Sequence, residues 1–397
     1  MKFIVERGSA LKGEVYLPGD KSISHRSIMC AAIAEGTTVI SGFLTGQDCL
    51  ATINAFSSMG VKIHRNGDKV IVHGVGLHGL KKPDSSLYLG NSGTSMRLMS
   101  GLLAGQKFST ILTGDGSLSN RPMDRVVSPL NLMGSNISTG IDGKPPLEIN
   151  PCMELNSLSY DLKIASAQVK SCLMFAGLYA SGPVVISECL ETRNHTELMF
   201  KKFGLDVEVN VHEDSREIIV TPPESFTATD INIPGDFSSA AFLILAALVI
   251  PDSDITLRNI GINPTRTALL GVLQEMGANI ELFNIVNEYE PSADITIKSS
   301  KLKGIRLNQN LIPNLIDELP VLFIAASLAE GETIIRGAKE LRTKESDRLE
   351  AMANALNKLG VGYKEHSDGI EIQGLNQELI TPHSVMPFKS SVINSYG

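Results

Sequence analysis

Lysines and arginines gather beside short turns along this chain: Lys21 and Arg26, Arg97 and Arg121, Arg193, and Lys344 and Arg348. Each pair or single residue stands where a turn should feed a helix. At such a junction the unpaired backbone N–H groups and the positive end of the helix dipole face outward. A guanidinium adds a two-pronged donor for carboxylate or phosphate. One arginine in such a place is commonly a solvated surface group. Recurrence at equivalent places favours a site for anionic ligands. Two carboxylates stand at helix starts of the last unit, Asp317 after the Ile312-Pro313-Asn314 turn and Glu345 beside Lys344. Their spacing alone fits a helix-start acid as well as a catalytic group.

Other chemistries find less support. Neither GxGxxG nor GxxxxGK[ST] occurs at a strand-to-helix turn, and Gly114-Asp115-Gly116-Ser117 is too short a signal to replace them. The five cysteines, at 30, 49, 152, 172 and 189, form no CxxC pair. Cys30 and Cys172 sit in small-residue apolar runs and are expected to be buried, reduced thiols. His25 lies beside Lys21 and Arg26, but an isolated histidine is a weak catalytic signal, and packing or a local hydrogen bond is expected of it.

A formal net charge of −8 argues against a surface adapted to nucleic acid or anionic membrane. The N-terminal Met1-Lys2-Phe3-Ile4-Val5 turns charged at Glu6-Arg7, and no later run reads as a membrane span. A cytoplasmic monomer is expected. The 43% hydrophobic residues, 35 glycines and 5% aromatics describe a turn-rich α/β protein, and 397 residues exceed what one core usually organises.

The elements that must position the candidate residues repeat. Short alternating strands end in tight turns at Gly19, Gly90, Ala165 and Gly235. Helices are predicted over 24–34, 95–104, 168–179, 238–248 and 317–329, apolar nearly all round and therefore buried. A second strand follows each, then an amphipathic helix stopped at Gly60, Gly134, Gly204, Gly277 or Gly360. A hairpin closes most units, best seen around Asn66-Gly67. The unit is thus β-α-β-α-β-β. Its turns, with a fifth near Pro313, recur at intervals of roughly 70 to 78 residues.

A sixth turn is due near residue 395, where the sequence reads Ser391-Val392-Ile393-Asn394-Ser395-Tyr396-Gly397, a strand and turn. Five units are therefore read as complete and the sixth as truncated. The Pro18-Gly19-Asp20 and Pro234-Gly235-Asp236 turns flank three units. They predict one lobe over 20–230 and a second from 1–19 plus 231–397.

Three long motifs carry a specific likeness. They are Gly19-Asp20-Lys21-Ser22-Ile23-Ser24-His25-Arg26, Gly90-Asn91-Ser92-Gly93-Thr94-Ser95-Met96-Arg97 and Leu341-Arg342-Thr343-Lys344-Glu345-Ser346-Asp347-Arg348. In these, and in Asn120-Arg121-Pro122-Met123, Ala165-Ser166-Ala167-Gln168, Thr192-Arg193-Asn194-His195-Thr196-Glu197 and Asp317-Glu318-Leu319-Pro320, the sequence resembles the 5-enolpyruvylshikimate-3-phosphate synthase family over essentially its whole length. The resemblance implies a two-lobed enolpyruvyl transferase fold, an inside-out α/β barrel, that needs no cofactor. It implies transfer of the enolpyruvyl group of phosphoenolpyruvate to the 5-hydroxyl of shikimate 3-phosphate, a step of aromatic amino-acid biosynthesis.

By the same resemblance, shikimate 3-phosphate is held by Lys21, Ser22, Arg26, Ser166, Ala167 through its backbone, Gln168, Arg193, Asp317 and Lys344. Phosphoenolpyruvate meets Lys21, Asn91, Gly93, Arg121, Gln168, Lys344 and Arg348, and Gly93 leaves room for glyphosate. The catalytic residues are then Asp317 as base toward the 5-hydroxyl, Glu345 as proton donor and later acceptor, and Lys21 as charge stabiliser. Family members usually continue with an Asp-His-Arg motif, a helix and a lysine, so binding of shikimate 3-phosphate is expected more firmly than turnover.

Two alternatives stand beside this reading. UDP-N-acetylglucosamine enolpyruvyl transferase shares the repeat but usually carries Lys-Asn in its first turn and a loop cysteine. Here the pair is Lys21-Ser22, and no cysteine lies between residues 50 and 151. The other is a non-catalytic relative that binds shikimate 3-phosphate.

Overall fold

The repeats fold as five separate sheets with their helices in a computed structural model that describes residues 8–344, 346–375, 388–389 and 391–393. In a complete repeat the first two strands pair in parallel across a helical crossover, and the closing hairpin adds its last strand antiparallel to the second. The chain divides into two compact units, Pro18–Pro234 and a second made of Met1–Leu17 with Gly235–Gly397.

The first unit carries α1 (Lys21–Ile33), α2 (Gln47–Ser58), α3 (Gly93–Ala104), α4 (Asp124–Leu132), α5 (Ala167–Gly177) and α6 (His195–Lys202). Helices α1, α3 and α5 are buried nearly all round, as their lack of a polar face requires. Close approach sets their composition. A β-carbon on Gly101 of α3 would fall 1.9 Å from the carbonyl oxygen of Cys172 on α5, so those backbones touch only because Gly101 has no side chain.

The second unit carries α7 (Phe237–Val249), α8 (Ala268–Glu275), α9 (Ile312–Leu315), α10 (Leu319–Ser327) and α11 (Arg348–Leu359). Its core packs Ile244 and Leu248 of α7 with Leu322 and Phe323 of α10, all at most 1% exposed. The last repeat lacks a named first strand. Its three-stranded sheet receives isolated bridges from Lys303 and Arg306 instead.

The five expected glycine stops all hold. Gly60, Gly134, Gly204, Gly277 and Gly360 have φ from 82° to 99°, the left-handed conformation that ends a helix without steric cost only at glycine. The hairpin around Asn66-Gly67 is also present, between Lys62–Asn66 and Lys69–Val75.

Two strands pair far from their sequence neighbours. Lys12–Tyr16 runs parallel to Asp254–Gly261, and Ile231–Asn232 runs parallel to Glu35–Ser41, with Ile231 opposite Ile40. Of the strand and turn expected at 391–397, residues 391–393 carry no regular structure, and 394–397 lie outside the described residues. Among the described residues, no helix is long and apolar enough to cross a membrane.

Candidate functional site

Side-chain caps place most of the candidate residues. Asp20 accepts the Ile23 N–H at 2.8 Å, Ser92 that of Ser95 at 3.1 Å, Ser166 that of Val169 at 3.4 Å, and Asp347 that of Glu350 at 2.9 Å. Each cap satisfies an otherwise unpaired donor and starts its helix on the next residue. Helices α1, α3 and α5 therefore begin one to three residues before the boundaries predicted from apolar periodicity. That shift puts Lys21 and Ser22, Gly93, and Ala167 and Gln168 inside first turns, beside outward-facing N–H groups. Arg348 follows its cap in the same way.

Around Gly93 the first unit builds a cationic cradle. A β-carbon there would lie 2.9 Å from Arg97 Nη1 and 3.0 Å from Arg121 Nη1, so the bare α-carbon lets two guanidinium groups approach the start of α3. Both groups are tethered. Arg121 donates through Nη2 to Asn91 Oδ1, and Asn91 donates through Nδ2 to Asp115 at 2.8 Å. Arg97 donates to Gln168 Oε1 at 2.7 Å, and Gln168 donates to Thr94 Oγ1 at 3.1 Å. Asp115 belongs to the glycine-rich tetrapeptide whose sequence signal was too short to interpret. Hydrogen bonds from the Leu118 N–H and the Asn91 amide hold its carboxyl below the usual carboxylate range.

At the start of α1, Lys21 is half-exposed and pairs with Asp48 of α2. Arg26, only 3% exposed, is turned inward. Its Nε donates to Thr196 Oγ1 at 2.7 Å, Nη1 to the Ser22 carbonyl at 3.1 Å, and Nη2 to Ser171 Oγ at 2.8 Å. These bonds tie α1 to α5 and α6. Arg26 thus also serves as an internal brace, a role its position in the motif did not indicate.

His25 is the expected local hydrogen-bonding histidine. It is fully buried, with Nδ1 2.8 Å from Thr52 Oγ1 and 3.2 Å from Ser95 Oγ. Burial first, and then the Lys21 charge, lower its pKa to about 3, so the ring is neutral. It links α1, α2 and the capped start of α3. Cys30 and Cys172 are buried free thiols, as expected, and burial pushes the Cys172 thiol up to about 12.

Arg193 is half-buried in the segment just before α6. An ion cluster missed in the sequence supports that segment. Lys170 of α5, wholly buried, reaches Glu188 at 3.1 Å, Glu197 at 2.7 Å and the Thr192 carbonyl at 3.2 Å. Glu188 in turn accepts from the Thr192 hydroxyl at 2.7 Å. Lys170 sits two residues past Gln168, inside a run that otherwise reads as apolar helix.

In the second unit Asp317 occupies the turn at 316–318 between α9 and α10, rather than the start of one long helix over 317–329. Pro320 accounts for the difference. Proline lacks a backbone N–H and is favoured in a first turn, which here begins at Leu319. Asp317 Oδ1 accepts from Arg348 Nη1 at 3.0 Å, and its Oδ2 lies 3.7 Å from Arg266 Nη1. Lys344 is half-buried at the end of the 3-10 turn Lys339–Thr343. Arg342 braces that motif by donating to Asp347 at 2.8 Å and Glu365 at 2.7 Å. Glu345 lies outside the described residues.

The first unit therefore gathers Asn91, Gly93, Arg121 and Gln168 about one helix start, and the second gathers Asp317 with Arg348. Sequence reasoning missed Asp115 and Arg266, and it left Arg97 out of the site. The recurrence of arginine at repeat starts was the one signal that pointed to Arg97.

Residues 5–397 match the family model of EPSP synthase (3-phosphoshikimate 1-carboxyvinyltransferase). A 3-phosphoshikimate 1-carboxyvinyltransferase of Hydrogenovibrio crunogenus is 51% identical over 377 residues, which are 94% of this chain and 85% of that one. One of Ruthia magnifica is 53% identical over 375 residues, with the same two shares. The solved EPSP synthase of Acinetobacter baumannii superposes with a TM-score of 0.82 at 49% identity, over 92% of this chain and 83% of that one. At 16% identity, the enolpyruvyl transferase NikO of Streptomyces tendae superposes with a TM-score of 0.70 over the same shares, a likeness of fold alone.

Proposed function

This chain belongs to the EPSP synthase family, the 3-phosphoshikimate 1-carboxyvinyltransferases, and on that premise we propose how its own residues carry the reaction. The activity is transfer of the enolpyruvyl group of phosphoenolpyruvate to the 5-hydroxyl of shikimate 3-phosphate, with release of phosphate, in the shikimate pathway.

The observation that carries the assignment of roles is the approach of two tethered guanidinium groups to the place a Gly93 β-carbon would fill, at a capped helix start. Fixed donors of this kind stabilise an anion without reorganising during reaction. Arg121, Asn91, Gly93, Gln168, Lys21, Lys344 and Arg348 are assigned to phosphoenolpyruvate. Lys21, Ser22, Arg26, Ser166, the Ala167 backbone, Gln168, Arg193, Asp317 and Lys344 are assigned to shikimate 3-phosphate. For Arg26 the supporting feature is its Nη1 bond to the Ser22 carbonyl, which fixes the turn that carries Lys21.

Chemistry requires a base and an acid. Asp317 takes the 5-hydroxyl proton as that oxygen bonds to C2 of phosphoenolpyruvate, while Glu345 gives a proton to the methylene carbon and Lys21 offsets developing charge. The tetrahedral adduct then returns that proton to Glu345, the C2–O bond to phosphate breaks with its electron pair, and the enol ether forms. The hydrogen bond from Arg348 and the approach of Arg266 support the reading of Asp317 as a positioned base. We further read the two compact units as the two lobes of the enzyme, and the enzyme as a cytoplasmic monomer.

Calorimetric titration with shikimate 3-phosphate and UDP-N-acetylglucosamine, followed by a phosphate-release assay, tests the reading. Saturable binding of shikimate 3-phosphate alone, with phosphate released on adding phosphoenolpyruvate, is expected. Binding without release would indicate a non-catalytic relative, and binding of the nucleotide sugar alone would overturn the substrate assignment.

A further inference from the structure

We propose that Arg266 is a positioning residue for Asp317, holding the carboxylate that the reading above makes the base; the inference rests on that reading. Arg266 lies outside every motif that carries the family resemblance, in the turn between Asp254–Gly261 and α8. It is 6% exposed.

The turn is built to hold a guanidinium still. Asn263 Oδ1 accepts from the Thr265 N–H at 3.0 Å and the Thr265 hydroxyl at 2.8 Å, while Asn263 Nδ2 donates to buried Glu290 at 3.0 Å. The Arg266 N–H donates to the Asn263 carbonyl at 2.8 Å. A turn pinned in this way has already lost the backbone freedom that would otherwise oppose holding its arginine in one place.

Among the described residues, Asp236, Asp317 and Glu318 face that guanidinium. Nη1 lies 3.5 Å from Glu318 Oε1 and 3.7 Å from Asp317 Oδ2, and Nη2 lies 3.6 Å from Asp236 Oδ1. Nη2 also donates to Ser238 Oγ, whose hydroxyl is donated to Glu318. Asp236 caps α7 through its other oxygen, which accepts from the Ser239 N–H at 2.9 Å. Arg348 meets Asp317 at its other oxygen, Oδ1, at 3.0 Å. The Asp317 carboxylate is therefore gripped at both oxygens, by Arg348 through a hydrogen bond and by Arg266 through charge.

Without Arg266, Asp317 would lose one of its counter-charges while still sharing its surroundings with Asp236 and Glu318. The neighbouring carboxylates would then push it away from the direction it now holds. The arginine thus fixes the direction of one Asp317 oxygen through its charge, while its own place is set by Asp236, Glu318 and Ser238.

A double-mutant cycle on the full chain tests this with the phosphate-release assay, using Arg266→Met, Arg266→Lys, Asp317→Asn and the combinations. Arg266→Met should lower kcat by roughly 30- to 100-fold in the parent and by less than about threefold once Asp317 is Asn, because coupled residues lose their effect together. Arg266→Lys keeps the charge but not the fork, and should fall between parent and Arg266→Met. KM for shikimate 3-phosphate should change by less than about threefold in Arg266→Met, so that the loss falls on kcat. If Arg266→Met does not fold, the Lys variant carries the same cycle. Equal losses in the parent and in Asp317→Asn, with no recovery in Arg266→Lys, would show a merely structural arginine and overturn the proposal. Parent-level turnover by Asp317→Asn would instead remove Asp317 as base, a separate failure read before the cycle begins.

Discussion

Arg121 Nη1 sits 3.0 Å from the point a β-carbon on Gly93 would occupy, so the absence of one methyl group fixes how close this guanidinium comes to the start of α3. Arg121 is held in turn by Asn91. Any shift of this guanidinium also disturbs that bond.

Gly93→Ala should therefore act on ligand binding before stability. The added methyl meets the far ends of two side chains rather than backbone, so the unfolding free energy should change by less than about 1 kcal/mol. KM for phosphoenolpyruvate should rise roughly tenfold as Arg121 is displaced. Steady-state kinetics beside urea unfolding decides; a large stability loss with unchanged KM would contradict the role given to this contact.

Arg26 should behave in the opposite sense. Arg26→Met removes donors to Thr196, Ser171 and the Ser22 carbonyl inside a packed core, at a cost of about 2–4 kcal/mol. Arg121→Met should cost less than about 1 kcal/mol while weakening phosphoenolpyruvate binding more. Comparing the two urea midpoints tests whether Arg26 braces three helices.

His25 gives stability a pH dependence with a definite sign. Its folded pKa, about 3, lies below the ordinary value of 6.5, so the unfolded chain binds a proton that the folded chain refuses. The contribution is present in full above about pH 6.5 and is lost as pH falls toward 3, at about 1.4 kcal/mol per pH unit. Between pH 7 and 4 the unfolding free energy of His25→Gln should fall less steeply than that of the parent. Parallel curves would mean that the ring titrates in the folded protein.

Lys170→Met should be strongly destabilising. It leaves Glu188 and Glu197, 2% and 6% exposed, buried together without their cation, and removal of one partner from such a group costs about 3–5 kcal/mol. The triple variant Lys170→Met, Glu188→Gln, Glu197→Gln should recover a good part of that loss. Because Lys170 also holds the Thr192 carbonyl, shikimate 3-phosphate affinity should fall in the single variant through Arg193. Thermal unfolding and calorimetry on the two variants separate the effects.

Much of this molecule was legible in its sequence because the information is local. Glycine stops, apolar helices and hairpin turns are fixed by residues a few positions apart, and all five stops fell where expected. The cationic helix starts were visible because they recur with the repeat. Helix boundaries were misjudged by up to three residues, since apolar periodicity says nothing about a polar first turn. The caps Asp20, Ser92 and Ser166 and the first-turn Pro320 were the signals for it.

Only the tertiary structure decided which distant residues meet. Nothing local tells Lys12–Tyr16 to pair with Asp254–Gly261, or Ile231–Asn232 with Glu35–Ser41, because exposed strand edges offer the same donors and acceptors to any partner of suitable register. The same holds for the buried polar groups. His25 finds Thr52, Lys170 finds Glu188 and Glu197, and Arg266 finds Asp236, Asp317 and Glu318, each on another element of the fold. The sequence by itself determined the repeat, the family and the residue types of the site. Folding decided which of its charges hold ligands and which hold one another, since a buried charge is stable only beside partners that three-dimensional packing supplies.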